Sequence, residues 1–297
     1  MEPLIPARFD YSAPKSLQEA VELLGSGGEG AKVIAGGQSL IPLLKLRLAS
    51  PTLLVDINRI QGLDYIRESD GQLRIGALTR IADVEASDLI RRKYPIVHDA
   101  STLIGDPQVR NLGTVGGNLS HGDPANDMPA VMLALGAEFV VTGPSGERSI
   151  KAENFYLDTF SVALDHSEIL TEVRVLKPSP RSGGSYLKLE QKVADFATAG
   201  AAVQLSLGPG GECTSLGIGL TAVGSTAIKP REAEERLKGK KPTDQGAVRE
   251  VARLAAESSD PASDLRGVAS YKKRIVQLLV TNAVKVAYDR SNARGAK

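Results

Sequence analysis

Two glycine pairs constrain this chain more than any other feature. The first lies in Ala35-Gly36-Gly37-Gln38-Ser39-Leu40, behind the apolar lead Val33-Ile34. Val33 and Ile34 read as the end of a short strand. Ile41, Leu43, Leu44, Leu46 and Leu48 predict a short helical run after it, with Ser39 placed to cap it. Glycine reaches backbone angles closed to other residues. Strand, glycine turn and helix start together aim several backbone N–H groups at one anion. The second pair, in Gly113-Thr114-Val115-Gly116-Gly117-Asn118, repeats this local chemistry beside a hydroxyl. Either pair alone is compatible with a simple tight turn. Two converging loops of this kind would suit the two phosphates of a dinucleotide.

The remaining composition excludes several classes. At 297 residues the chain exceeds what one ordinary core serves, so two or three domains are expected. A net charge of +1 supplies no broad field for nucleic acid or an acidic membrane. Trp is absent and aromatics make up only 4%, which argues against stacking platforms for single strands. The single cysteine, Cys213, forbids an internal disulfide, excludes an all-thiolate iron–sulfur cluster held by this chain alone, and points to a reducing cytosol. The N-terminus lacks signal-peptide character, and no apolar run is long enough to span a bilayer.

In chain order, Ser16 opens a helix with Leu17, Ala20, Val21 and Leu24 on its apolar face, and Leu53 to Ile57 reads as a buried strand. Asp70-Gly71 marks a hairpin. Thr79 is placed to cap a short helix through Val84, and further helices are expected over Asp88–Tyr94 and Pro95–Leu103. Pro129 to Leu135 predicts a helix packed on all sides and ended by Gly136. A hairpin around Gly143 and a strand over Ile169–Val175 follow. Pro178 to Gly184 reads as a linker. The last third predicts an antiparallel sheet of three or more strands, then helices over Arg231–Leu237, Gln245–Glu257 and about Val268–Tyr288. In the last helix Tyr271, Ile275, Leu278, Leu279, Asn282 and Val286 are expected to face the sheet, and the polar tail from Ser291 to be loose.

Other motifs weigh little. Gly25-Ser26-Gly27-Gly28-Glu29-Gly30 matches G-x-G-x-x-G, but it closes a helix instead of following a strand, so it reads as a surface turn. Neither glycine loop carries the Gly-Lys-Ser/Thr of a triphosphate loop. His98, His121 and His166 show no metal-ligand spacing, although His121 follows the second loop closely. Asp127 suits either a sugar hydroxyl or a helix cap, and Asp123 suits a ligand or a solvent-facing turn. Lys188 and Lys192 would ordinarily be solvated charges. No nucleophile–base spacing supports a hydrolase, and no catalytic acid or base stands out.

The two loops, followed by Asp123-Pro124-Ala125-Asn126-Asp127 and joined by Ile104-Gly105-Asp106-Pro107-Gln108-Val109-Arg110-Asn111, resemble the FAD loops of the molybdenum hydroxylase (xanthine dehydrogenase) flavoprotein subunits. Within that family the pattern is similar to the medium chains of aerobic carbon monoxide dehydrogenases, and it runs over nearly the whole chain from Phe9-Asp10-Tyr11-Ser12-Ala13-Pro14. The resemblance implies an α+β fold. Residues 1–177 would form an FAD-binding domain of the vanillyl-alcohol-oxidase (PCMH) type, with subdomains at about 1–57 and 58–177. Residues 178–290 would form a flavoprotein-like C-terminal domain of antiparallel sheet and packed helices, and 291–297 a tail. It also implies that Val33, Ile34, Ala35, Gly36, Gly37, Gln38, Ser39 and Leu40, with Thr114, Val115, Gly116, Gly117 and Asn118, clasp the FAD pyrophosphate. Asp127 would contact the ribityl or sugar hydroxyls, with Asp123 nearby. Ile104 and Leu170 would line the cofactor, and Tyr186, Lys188 and Asp195 would approach the isoalloxazine ring. Family members often carry an arginine near Gln191 or Lys192, which is missing here.

On that resemblance the chain is one oxidoreductase subunit without metal ligands of its own. An iron–sulfur small subunit with two [2Fe–2S] clusters and a molybdopterin large subunit would accompany it, in a dimer of heterotrimers. Electrons would leave to a quinone, oxygen or another acceptor, and the complex would be cytoplasmic, at most peripheral to the inner membrane face. A stand-alone flavin oxidase or reductase and a non-catalytic phosphate-binding module are the alternatives.

Overall fold

Residues 4–295 are described by a computed structural model, which is a mixed α+β protein built from three packed units. The first contains β1 (Asp10–Ser12), α1 (Leu17–Gly27), β2 (Ala31–Ile34), α2 (Leu40–Lys45) and β3 (Leu53–Asp56). Its parallel sheet has the order β1-β3-β2. The Ser16 hydroxyl accepts from the Glu19 amide at 3.2 Å, and Ala20, Val21 and Leu24 bury one face of α1 against Ala31 and Val55. The G-x-G-x-x-G match closes α1, with Gly28 at φ +57°, as a turn should. At α2 the expectation fails in part. Ser39 occupies the cap position but its side chain makes no capping bond, and of the apolar run Leu44 is buried while Ile41, Leu46 and Leu48 are exposed.

The second unit runs through β4 (Ile66–Ser69), β5 (Gln72–Gly76), α3 (Ile81–Ala86), α4 (Asp88–Lys93), α5 (Pro95–Leu103), α6 (Pro107–Leu112), α7 (Val115–Ser120) and α8 (Asp127–Leu135). It continues through β6 (Glu138–Gly143), β7 (Gly146–Lys151), β8 (Tyr156–Asp158), β9 (Ser161–Val162) and β10 (Ile169–Leu176). Asp70 and Gly71 both take positive φ, the geometry that matches a two-residue hairpin to strand twist. The antiparallel sheet has the order β4-β5-β10-β6-β7, so the strand latest in sequence sits at its centre and closes the unit. Thr79 does not cap α3. Its hydroxyl bonds the Tyr65 backbone, and Arg80 takes the cap position with no capping bond. Helix α8 is apolar on every side after Asp127 and buried through Ala134, with Leu135 partly buried, close to what its sequence predicts, and Gly136 ends it in the left-handed conformation.

The third unit contains β11 (Ser182–Glu190), β12 (Ala197–Leu207), β13 (Cys213–Thr221), α9 (Arg231–Leu237), α10 (Gln245–Glu257) and α11 (Ala269–Gly295). Residues 182–184, read as linker, already belong to β11. The face of α11 also differs from expectation. Val276, Leu279, Val280, Ala283, Val284 and Ala287 are buried, while Tyr271, Leu278 and Asn282 are exposed. The expected loose tail is helical through Gly295, with Ser291 fully buried. Sheet and α8 meet backbone to backbone. A Cβ on Gly217 would lie 2.0 Å from the Ala134 carbonyl oxygen, and one on Gly219 1.9 Å from that of Ala130. Missing side chains on β13 therefore let the third unit seat on the second. Among the described residues no helix is long and apolar enough to cross a membrane.

Candidate cofactor site

The two glycine loops meet in space. A Cβ on Gly36 would fall 2.2 Å from the Leu112 carbonyl oxygen and 2.8 Å from the Gly113 Cα, so only glycine permits this approach. Gly37 follows at φ +73°, a left-handed angle that turns the chain from β2 into α2. Among the described residues, the amides of Gly36, Gly37, Gln38, Ser39 and Leu40 have no acceptor, whereas the Gly36 carbonyl takes a bond from Gln38 Nε2 at 3.0 Å. Five successive free N–H groups on a sharp turn form a concavity for an anion.

The second loop is built differently. No strand leads into it. Thr114 caps α7, its hydroxyl accepting from the Gly117 amide at 3.1 Å. The amides of Val115, Gly116 and Asn118 bond the carbonyls of Thr79, Ala77 and Thr114 at 2.9, 2.8 and 2.9 Å. These four N–H groups are therefore spent inside the protein. Gly116 is bare because Ala77 packs against it, its Cβ 2.6 Å from where another would stand. Gly117 is exposed, and a Cβ there would meet only the Thr114 hydroxyl, at 2.9 Å. The second loop thus offers a bare wall beside the first, and the first supplies the amide donors. The buried Asn118 Oδ1 has no partner among the described residues.

A network that the sequence reading missed ties the loops together. Arg80 donates through Nη1 to the Leu112 carbonyl and through Nη2 to Asn58 Oδ1 at 2.9 Å. Asn58 Nδ2 donates to the Ala35 carbonyl at 2.8 Å and to Asp56, which also accepts from the Tyr11 hydroxyl at 2.6 Å. The Tyr11 bond helps hold the Asp56 carboxyl below its ordinary range although partial burial pushes it up. Arg80 stands 32 residues before its Leu112 partner, and no local motif marks it.

Asp127, Tyr186 and Lys188 come together across the seam between the second and third units. The Tyr186 hydroxyl donates to one Asp127 oxygen, and Lys188 Nζ to the other at 3.1 Å. Lys188 also donates to the carbonyls of Leu103 at 2.7 Å and Asp195 at 3.1 Å, and lies 3.2 Å from Glu190. Its side chain is only 1% exposed, so it is not the solvated charge that its sequence context suggests. Burial pushes the Asp127 carboxyl up to about 6, against the opposing pull of Lys188 and the Tyr186 bond. Burial, with Asp127 beside it, also drives Tyr186 well above the ordinary phenol range. Asp99 adds a second tie, accepting from the Tyr186 amide and from Arg290.

The other expected residues fall on either side of this frame. Ile104 and Leu170 are buried in the core of the second unit. Asp123 makes a turn, accepting from the Ala125 amide at 2.8 Å, and His121 packs on Phe160 with its pKa lowered by burial. No arginine stands at Gln191 or Lys192, but Arg266 reaches the same segment from far along the chain. It pairs with Asp195 at 3.0 Å and holds that carboxyl below its usual range, while Gln191 bonds the adjacent Leu265 carbonyl.

A two-unit α+β scaffold with an amide-lined glycine turn against a bare second loop, seamed to a sheet-and-helix domain, has the form of a diphosphate-binding protein. The family model described as "FAD binding domain in molybdopterin dehydrogenase" matches residues 7–178, and "CO dehydrogenase flavoprotein C-terminal domain" matches 184–287. The chain belongs to this flavoprotein-subunit family, whose members are FAD-dependent oxidoreductase subunits of the molybdenum hydroxylases. It is 43% identical to the carbon monoxide dehydrogenase medium chain of Hydrogenophaga pseudoflava, over 97% of this chain and 99% of that one. It is 37% identical to the glyceraldehyde dehydrogenase medium chain of Sulfolobus acidocaldarius, over 95% and 99%. A solved structure of the Hydrogenophaga pseudoflava carbon monoxide dehydrogenase lacking the Mo-pyranopterin moiety superposes with a TM-score of 0.93 at 44% identity, covering 96% of this chain and 99% of that one.

Proposed function

We propose that this chain is the electron-transfer subunit of an aerobic carbon monoxide dehydrogenase-like complex. It receives electrons from [2Fe–2S] clusters on a small partner subunit, itself served by a molybdopterin large subunit, and passes them to a quinone, oxygen or another external acceptor. The complex is a dimer of heterotrimers in the cytoplasm. What carries this reading is the run of amides from Gly36 to Leu40, unpartnered among the described residues, against the bare second loop, on a scaffold matched over 97% of this chain by a medium chain of such an enzyme. FAD, when bound, supplies the redox chemistry, and the chain sets its position and surroundings.

In this reading the amides of residues 36–40 hold the diphosphate. Charge-assisted bonds of this kind are worth roughly 1.5–3 kcal/mol each. Val33, Ile34 and Ala35 carry the turn, and Thr114–Asn118 form the facing wall, with Gly117 leaving room and the orphaned Asn118 oxygen available to a sugar or ribityl hydroxyl. Ile104 and Leu170 back the site. Tyr186, Lys188 and Asp195 fix the third-unit segment that covers the ring, Asp127 serving as its buried anchor. The purified chain should show flavin bands in the near-ultraviolet and blue, and should co-purify from its native source with molybdenum, iron and acid-labile sulfide. A colourless chain that takes up no added FAD overturns the reading. A chain that turns over a substrate without partners favours the stand-alone flavoenzyme instead.

A further inference from the structure

We propose that Arg80 is a positioning residue for the diphosphate cradle, acting through Asn58 and the Leu112 carbonyl; this rests on FAD occupying the first loop. The Arg80 backbone is tied to the second loop on both sides. The Ile81 amide donates to the Gly113 carbonyl, and the Val115 amide to that of Thr79, each at 2.9 Å. Its guanidinium then reaches outward to the Leu112 carbonyl at the end of α6, where the second loop begins, and, through Asn58, to one carbonyl of the first loop. The Leu112 carbonyl is also the group that fills the space of the missing Gly36 side chain. The same hydrogen bonds that fix the gap between the loops thus engage the carbonyls of Ala35 and Leu112, whose dipoles would oppose an anion. Among the described residues the amides of residues 36–40 have no acceptor beside them.

Arginine suits this role because its planar fork satisfies two acceptors in a fixed geometry. An ammonium in its place is a single flexible point charge. The Asn58 link is set from beneath by Asp56, which accepts from both the Asn58 backbone and side-chain amides at 2.9 and 2.6 Å. The relay therefore runs from β1 and β3, through Asn58 and Arg80, to the second loop. It touches the two loops at the carbonyls of Ala35 and Leu112 and bonds none of the amides of residues 36–40, so its effect on ligand binding is a matter of placement.

The test is a fluorescence titration of the full-length chain, stripped of flavin, with FAD and separately with riboflavin, which has the ring and ribityl chain but no diphosphate. R80Q should weaken FAD binding by about tenfold or more and leave riboflavin binding within about twofold. R80K should recover part of the loss. N58A should weaken FAD in the same way, and the double variant should be little worse than R80Q, because both act in one relay. If R80Q fails to fold, as read by circular dichroism, N58A at its exposed position carries the same expectation. FAD binding by the variants within twofold of wild type overturns the inference, as does equal weakening of FAD and riboflavin, which would assign Arg80 to general stability. A wild-type chain that binds no FAD overturns the flavin reading and this inference with it.

Discussion

Replacing Asp127 by asparagine should narrow its disadvantage against wild type as pH rises. The carboxyl is buried, bonded to Tyr186 and Lys188, and titrates at about 6 against 3.8 for a free aspartate, because burial outweighs its partners. The folded state therefore keeps this proton to a higher pH than the unfolded state. Its contribution favours folding fully below about pH 4 and is lost as pH rises through 6. Relative to acid pH, this group lowers folding stability by about 1.6 kcal/mol at pH 5, where the unfolded carboxyl has ionised and the buried one has not, and by about 3 kcal/mol at pH 8, where both have. Asparagine avoids this cost, since it has no proton to lose. Its amide still offers Tyr186 an acceptor, and its NH2 group facing Lys188 adds a penalty that does not vary over this range. Urea unfolding of the flavin-free chain at pH 5 and pH 8 should show the wild-type advantage over D127N shrinking by about 1.4 kcal/mol at the higher pH. A gap that stays constant or widens with pH would refute the account of Asp127 as a carboxyl whose burial dominates its ion pair.

Three further outcomes follow from packing and burial. Gly117→Val should fold, losing about 1 kcal/mol through the disturbed Thr114 cap, but should purify without flavin. Stoichiometric yellow cofactor in that variant would remove the second loop from the site. Gly219→Val should cost about 3 kcal/mol or more, because its Cβ would stand 1.9 Å from the Ala130 carbonyl oxygen and lift β13 from α8. A urea midpoint near wild type would contradict that. Cys213 is buried and its thiol is pushed up to about 11 by burial, so thiol reagents at pH 8 should label it only on unfolding. Rapid labelling of the native chain would place it elsewhere.

Where chemistry is settled by near neighbours, the residues were legible in order. Ser16 bonding Glu19, Asp70-Gly71 turning a hairpin and Gly136 stopping α8 are each decided within about four residues. The same holds for the first glycine loop, whose turn is set by Gly37 alone. Misreadings began where a local signal had a distant competitor. Thr79 looks like a cap, but Tyr65 takes its hydroxyl. Tyr271 and Leu278 are apolar at helical spacing, but α11 is gripped by β11 and β12 along a neighbouring stripe that places Val276, Val280 and Ala287 inward. Polarity from Ser291 onward suggested a loose end, yet Ser291 packs beside Gly183, whose missing side chain admits the backbone of α11.

By itself the sequence determined that the first glycine pair makes a turn able to present bare amides, and that one cysteine leaves any thiolate-held cluster to another chain; the second pair, read as a like loop, lies in the first turn of α7 instead. Tertiary structure decided which amides remain free, because the carbonyls of Ala77 and Thr79 reach the second loop only after β5 and α3 are in place. It also decided that Lys188 is buried against Asp127, 61 residues away, and that Arg80 joins the loops. A side chain's hydrogen-bonding capacity is written in its identity. Its partner depends on which distant segments the hydrophobic cores bring together, and a local stretch of sequence carries no record of that.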